Sequence, residues 1–377
     1  MKFLENIDRP LFYSILLLSI FWLIMIWSVS IYESYLLTNS LVWKWILEEV
    51  SNSFYLKRAF FNFLIALPAF LVWIAIPYKF WKKMAMPIFF ISLILLVVLF
   101  IPGLTNDYWS ARSWLNIPWL PSIQPSEIMK LWLILYFTLW IESKTNKIAT
   151  FKEWFFPFAF LIWIIIVLIW LQPDFWAVLV ISFIAWSMFF VWGWNLFHIL
   201  WAWIIWVWLA TPIVISHQYI LNRFMAFWDP QYDIWWSWYQ ILQALMTIWS
   251  WGFWWTWFWQ SVQKFWYLPE VQWDTIFAII AEELWFVRVV VFVLVFLFIW
   301  YRWLIIASSA KDKFWMLLAV WITAWIVFQA FINMSVNIAI MPLTWITLPF
   351  VSNWGSSLIM MSLAAGILLA VSREVKK

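Results

Sequence analysis

The sequence predicts an all-α polytopic membrane protein of about ten spanning helices, with one large polar loop, residues 217–274, between the seventh and the eighth. Three observations predict it. Hydrophobic residues make up 67% of the 377 and charged residues 11%, against about 45–50% and about 25% in a soluble domain. Several apolar runs reach the ~20 residues that cross a hydrocarbon core. The polar residues are gathered between those runs, most densely in SVQKFWYLPEVQWDTIFAIIAEELWF, Ser261 to Phe286. Cysteine is absent and His198 and His217 are the only histidines. A disulfide, a thiolate metal site and a histidine-rich metal site are therefore excluded, while carboxylates could still bind a metal. The net charge of +4 needs only basic loops at a membrane face and no nucleic-acid partner.

Apolar run length places the spans, in order, near 11–31, 59–78, 84–102, 126–142, 154–171, 175–192, 196–216, 275–301, 314–341 and 350–371. The first is too long for a cleaved signal, and no small-residue cleavage site follows it. No soluble domain is expected, so 1–377 reads as one membrane domain. With the N-terminus inside, the larger share of the 22 Lys and Arg falls on the inner face, from Lys2 and Arg9 through Lys79, Lys82, Lys83, Lys144, Lys147, Lys152, Arg302, Lys311 and Lys313 to Arg373, Lys376 and Lys377. Both termini are then cytoplasmic, and the loops 103–125 and 217–274 face outward. The second is long for a connection without its own structure, and such loops are usually functional. Within it, Tyr239–Ile248 reads as a short amphipathic helix lying at the interface.

Tryptophan numbers 42 and glycine 5, although membrane helices normally use more glycine than soluble ones. Indoles occupy places where a turn or close packing asks for glycine, at 234–239, 250–260 and 353–357. Interfacial belts account for tryptophan at the membrane edges, not for Trp163, Trp186 and Trp325 in mid-helix. We read the gene as one in which UGA encodes glycine and which has been translated with the standard table. Most, not all, of the tryptophans are then glycine in the cell. A truly Trp-rich membrane protein is the alternative, and peptide masses at Trp235, Trp236 and Trp238 decide between the two.

The polar positions suggest chemistry. In the first outward loop, Arg112 and Trp114 precede Gln124-Pro125-Ser126-Glu127 and Lys130. Pro125 suits a first helical turn. Glu127 and Lys130 share a face, either as a local ion pair at a helix start or as a lysine oriented to meet, with Arg112, a phosphate-bearing head group. Asp174 after Pro173 reads as a helix cap in a tight turn. Arg223 opens the large loop, where it is either a solvated charge or a partner for an anionic head. Lys264 is expected to be an outward cation, and Glu270 ends the loop. Asp274 heads the eighth helix, as an N-cap or as a general base for a sugar hydroxyl. Glu282 lies two turns deeper, with Arg288 available to pair with it. Asn333, Asn337 and the run Ser352-Asn-Trp354-Gly-Ser356-Ser357 occupy the last spans. With glycine at 354 that run would let backbones approach closely.

In SARSWLN, SIQPSEIMK, LQPDF, RFMAFWDP, WYQILQAL, SVQKFWYLPEVQWDTIFAIIAEELWF and MPLTWITLPFVSNWGSS, the chain resembles the SEDS family (shape, elongation, division, sporulation), over about residues 11 to 373. Gln-Ser-Val-Gln-Lys ahead of Tyr-Leu-Pro-Glu looks more like the division member than the elongation member. The resemblance implies the SEDS fold and a glycosyltransferase that polymerises lipid II into glycan strands of peptidoglycan during cell division. It implies work beside a class B penicillin-binding transpeptidase and other division-complex membrane proteins. By the same resemblance Asp274 is the catalytic base for inverting attack, Trp114 is a genuine tryptophan, and Glu127, Lys130 and Glu270 line the outward cavity. Gln124, Asp174, Arg223, Lys264, Glu282, Ser352 and Ser356 complete the expected substrate-binding set. Lys130 and Arg112 would stabilise the diphosphate leaving group, with a divalent cation (Mg or Mn) as the one cofactor considered. The chain departs from the family where Gln272-Trp273, not His-Thr, precede Asp274, and where Ser122 replaces a basic residue of some division members. Fine substrate contacts therefore differ, while the class stands. Trp266 and Trp273 are read as glycine, and Glu282 and Glu283 as structural or cavity-lining beside Asp274. A lipid II flippase and a non-catalytic scaffold for the transpeptidase are the rival functions.

Overall fold

Sequence signals set the ends of most helices. Asp8 accepts the Leu11 N–H at 3.0 Å and Pro10 fills the first turn, so α1 runs Arg9–Val29. Ser30 separates it from α2, Ile31–Trp43. Then come α3 (Phe54–Ala75) and α4 (Tyr78–Val98). An antiparallel hairpin follows, with β1 (Thr105–Tyr108) pairing Thr105 and Asn106 opposite Leu115 and Trp114 of β2 (Ala111–Leu115). Among the described residues there follow α5 (Pro125–Ser143), α6 (Phe151–Trp170), α7 (Phe175–Val191), α8 (Gln218–Trp228), α9 (Ser237–Trp249), α10 (Ile276–Ser308), α11 (Lys313–Asn337) and α12 (Gly355–Val375). The computed structural model describes residues 7–375 apart from 109–110, 117–121, 144–150, 192–199, 234–236, 250–259, positions scattered over 202–213, and residues 230, 266 and 311.

α5 is buried along almost its whole length, and α11 and α12 are mostly buried beside it. Around them α1, α3, α4 and α10 turn apolar side chains outward, among them Leu17, Leu64, Ile94 and Leu294. Such a surface belongs in lipid. Among the described residues, six helical stretches are long and apolar enough to cross a membrane, in α1, α3, α4, α10, α11 and α12, and α6 and α7 carry shorter apolar stretches. The predicted span 196–216 lies mostly outside the described residues, as do Trp235, Trp236 and Trp266. The last predicted span, 350–371, starts late. Residues 348–352 form a turn closed by Leu348 N–H donating to Ser352 Oγ at 2.8 Å.

α12 packs against α3 at its two glycines. A Cβ at Gly355 would come within 2.8 Å of Asn62 Nδ2, and one at Gly366 within 3.0 Å of the Phe70 carbonyl. The expected interfacial helix is α9. It packs against α10 and α11 with Gln240, Ile241, Gln243, Ala244 and Thr247 buried. A buried face carrying two glutamines needs protein partners, not lipid. The indole nitrogens of Trp22, Trp81, Trp303 and Trp321 are buried with no hydrogen-bond partner. Each such orphan costs about 1–3 kcal/mol.

Candidate active site

The first turns of α3, α5, α7 and α12 meet the hairpin and segments 270–273 and 345–347 around a cavity of about 290 Å3. The two loops expected on one face therefore meet at one site. Glu127, Lys130 and Glu270 line it, as the resemblance implied, and so do Trp114, Gln124 and Asp174.

Lys130 Nζ donates to Glu127 Oε1 at 2.6 Å, with both side chains buried in the cavity wall. The pair follows from i,i+3 spacing on one helical face. Glu127 Oε2 has no partner. Asp174 caps α7 by accepting the Ala177 N–H at 3.2 Å, and its other oxygen accepts from Gln124 Nε2 at 2.9 Å and Ser126 Oγ at 3.4 Å. The cap reading of Asp174 therefore holds, and the same carboxyl ties α7 to the start of α5.

Asp274 sits in a turn, one residue short of the Thr275 that precedes α10. The turn is wound on Glu270, whose backbone is left-handed (φ 53). The Glu270 carbonyl accepts the N–H groups of Trp273 at 3.0 Å and Asp274 at 3.2 Å. Thr275 Oγ1 donates to the Pro269 carbonyl at 2.8 Å. Asn333 and Asn337, one turn apart on α11, both donate to the Asp274 carbonyl, at 2.9 and 3.0 Å. Gln272 is held by Asn353 at 3.0 Å and donates to Glu33 of α2. The backbone at Asp274 is thus fixed from several helices, while its Oδ1 is buried with no hydrogen-bond partner. Burial first, and then the Glu270 charge, push the Asp274 carboxyl well above the usual carboxylate range, with Arg223 acting against them. Burial likewise raises Glu270, opposed by Arg223.

Several expected residues lie elsewhere. Arg112 is on the exposed side of β2 and does not line the cavity. Arg223 is buried behind the wall, over the rings of Tyr219 at 4.5 Å and Trp345 at 4.6 Å, and donates to the Leu343 carbonyl at 3.3 Å. Lys264 is not an outward cation. It is 2% exposed, and its Nζ donates to Glu283 Oε1 at 2.8 Å and Ser28 Oγ at 2.9 Å. Glu282 does not pair with Arg288, which is exposed. Six residues at about 100° each place the two on different faces of a helix. Ser261 Oγ and the Val262 N–H satisfy Glu282 instead. Ser352 serves its own turn, and Ser356 is buried without lining the cavity.

The sequence reading missed Tyr55, Arg58 and Asn62, which line the cavity from α3. Their spacing is the signal, since three and four residues apart they form one polar stripe on a helix. A spacing of four residues likewise puts Gln329, Asn333 and Asn337 on one face of α11. Among the described residues no group of three or more acids or histidines converges to hold a metal ion. Both Asp174 oxygens and Glu127 Oε1 are already engaged, which leaves Glu127 Oε2 alone, so the residues present do not fit a protein-built divalent cation site.

Comparison with known proteins agrees with this fold. The model of a cell cycle protein family, that of FtsW, RodA and SpoVE, matches residues 8–377. A probable peptidoglycan glycosyltransferase FtsW of Trichlorobacter lovleyi is 33% identical over 325 residues, 86% of this chain and 85% of that one. Stage V sporulation protein E of Bacillus subtilis is 36% identical over 293 residues, 78% of this chain and 79% of that one. A chain from a solved peptidoglycan synthase complex that coordinates polymerization and crosslinking superposes with a TM-score of 0.79 at 22% identity, covering 98% of this chain and 99% of that one. RodA of Thermus thermophilus gives a TM-score of 0.69 at 22% identity, with 98% of both chains covered.

Proposed function

The chain belongs to the FtsW, RodA and SpoVE family, and on that premise we propose that it is a multi-pass membrane glycosyltransferase that polymerises lipid II during cell division. Its partner is a class B penicillin-binding transpeptidase, and other division-complex membrane proteins assemble with the pair. The observation that carries this reading is the Asp274 carboxyl. Its backbone is fixed by Glu270, Asn333 and Asn337 while Oδ1 stays without a partner. A structural aspartate would have its oxygens satisfied. A base needs one free, and a raised proton affinity brings it nearer to the working pH.

In this reading Asp274 takes the proton of the acceptor sugar hydroxyl. The freed oxygen attacks the anomeric carbon of the growing strand with inversion, and the bond to undecaprenyl diphosphate breaks. Lys130 and Arg58 are the cations lining the cavity, and they favour the negative charge that develops on the leaving diphosphate. Glu127 holds Lys130 in place. No step needs a metal. The cavity faces outward and both termini face the cytoplasm, a placement supported by the distribution of Lys and Arg between loops.

The test is the purified protein with its transpeptidase and labelled lipid II. Polymer from the parent and none from Asp274→Ala is expected. Lipid movement across vesicles without polymer would replace this reading with a flippase. Transpeptidase binding with neither activity would replace it with a scaffold.

A further inference from the structure

Asp274 does not itself line the cavity, although its chain neighbour Trp273 and the loop residue Trp354 both do. The two rings are 5.0 Å apart, and Trp354 stacks on Trp114 at 4.6 Å. On its other side Trp354 lies against the Asp274 carboxyl, and its indole nitrogen has no hydrogen-bond partner of normal geometry. Two half-buried indoles beside Asp274 thus face the space that substrate would fill, while Asp274 does not.

Elsewhere the structure puts tryptophan in positions made for glycine. Trp45 ends α2 in the left-handed conformation (φ 58). Its N–H meets the Val42 carbonyl at 2.9 Å, and the Ile46 N–H meets the Leu41 carbonyl at 2.9 Å. That pair of bonds is a Schellman cap, whose left-handed residue is usually glycine because a Cβ is penalised there. Four further indoles, at 22, 81, 303 and 321, are buried with unsatisfied nitrogens. Meanwhile Gly103 is left-handed (φ +90), and Gly355 and Gly366 sit where an added Cβ would press on Asn62 and on the Phe70 carbonyl. The fold therefore uses glycine in the ordinary way, and at Trp45 an indole stands where glycine is usual.

We infer that positions 273 and 354 form the gate between Asp274 and the cavity, and that the protein in its own cells carries glycine at both, through UGA codons read as glycine, so that the gate stands open. Removing the two rings joins the Asp274 carboxyl to the cavity without moving the turn that holds it, because that turn is fixed through backbone groups and through Asn333, Asn337 and Asn353. Trp114, the third ring of the stack, then faces the cavity alone. The inference rests on the reading of Asp274 as the base, but its test does not.

The protein is made in two forms, one with tryptophan at 273 and 354 and one carrying Trp273→Gly and Trp354→Gly. Both are treated with a water-soluble carbodiimide and an amine, and modification of Asp274 is read by peptide mass, with Asp274→Asn as the blank. Labelling at least tenfold faster in the glycine form is expected, together with glycine masses at both positions in protein purified from its own cells. Trp354→Ala, which keeps the Cβ and removes the ring, should open the site in the same sense if the double variant folds poorly. Equal labelling of folded forms, or an indole mass at 354 in the cellular protein, overturns the inference. Fast labelling of the glycine form with no polymer from lipid II leaves the gate standing and removes Asp274 as the base.

Discussion

Two carboxylate neighbourhoods lie within a dozen residues of each other, and they have opposite bookkeeping. Glu282 and Glu283 are buried and satisfied: Ser261 and the Val262 N–H serve the first, Lys264 and Ser28 the second. These contacts fasten the end of the large loop to α1 and α10. Asp274 is equally buried, yet the hydrogen bonds around it go to its backbone and leave Oδ1 empty. Burial alone therefore does not mark a functional acid in this protein. What separates the two regions is whether the protein completes the carboxyl group or only its main chain.

The largest expected effect falls on the incomplete acid. Asp274→Asn keeps shape and burial, and should lower polymerisation by about 10²–10⁴-fold, the usual worth of a positioned base, with little change in thermal unfolding in detergent. A variant that unfolds would instead place Asp274 with the structural acids. Next comes the completed region. Glu283→Ala strands the Lys264 ammonium in the interior and should cost about 3–5 kcal/mol, while Lys264→Met combined with Glu283→Leu should recover most of it. Thermal melts of the three proteins read this directly, and no recovery in the double variant would break the comparison on that side.

Smaller effects sharpen the contrast. Asn333→Ala and Asn337→Ala each remove one donor from the Asp274 carbonyl. Each should cost about 0.5–1.5 kcal/mol of stability, and should lower kcat while leaving KM nearly unchanged, since the residue acts through the base. The smallest effect concerns Glu33, which burial and the nearby Glu270 charge push from 4.5 up to about 7. The folded protein holds that proton more tightly than the unfolded chain. The resulting stability is complete below the unfolded value and is lost as pH rises through about 7. A melting series across that range should show the decline, and Glu33→Gln should flatten it.

Much of the fold was legible because hydrocarbon thickness imposes a length on apolar runs, and α1, α3, α4, α5, α6, α7, α10, α11 and α12 fall where such runs lie. α2 was not, since Tyr-Glu-Ser-Tyr and Thr-Asn-Ser dilute its apolar pattern. The hairpin was missed because strands of four and five residues carry little periodicity. At the site, the family resemblance pointed to Glu127, Lys130 and Glu270, which line the cavity, and Pro173-Asp174 read as a helix cap. Neither could show that Lys264 turns inward, because its partners Ser28 and Glu283 are remote in sequence. Tyr55, Arg58 and Asn62 went unseen for the opposite reason: a loop-like run of polar residues concealed a helical stripe.

The contact between Gly355 and Asn62 sets a mechanical property of the cavity. On one side of that contact there is no side chain to bend or repack. The other side is a wall residue, carried on a helix whose outer face, at Phe60, Phe61 and Leu64, is exposed. A helix normally cushions its neighbours through rotamers on both sides, and here only Asn62 supplies them. A sideways displacement of α3, whether from bilayer thickness or from a protein leaning on that outer face, therefore meets only the Asn62 side chain before it reaches the wall of the cavity.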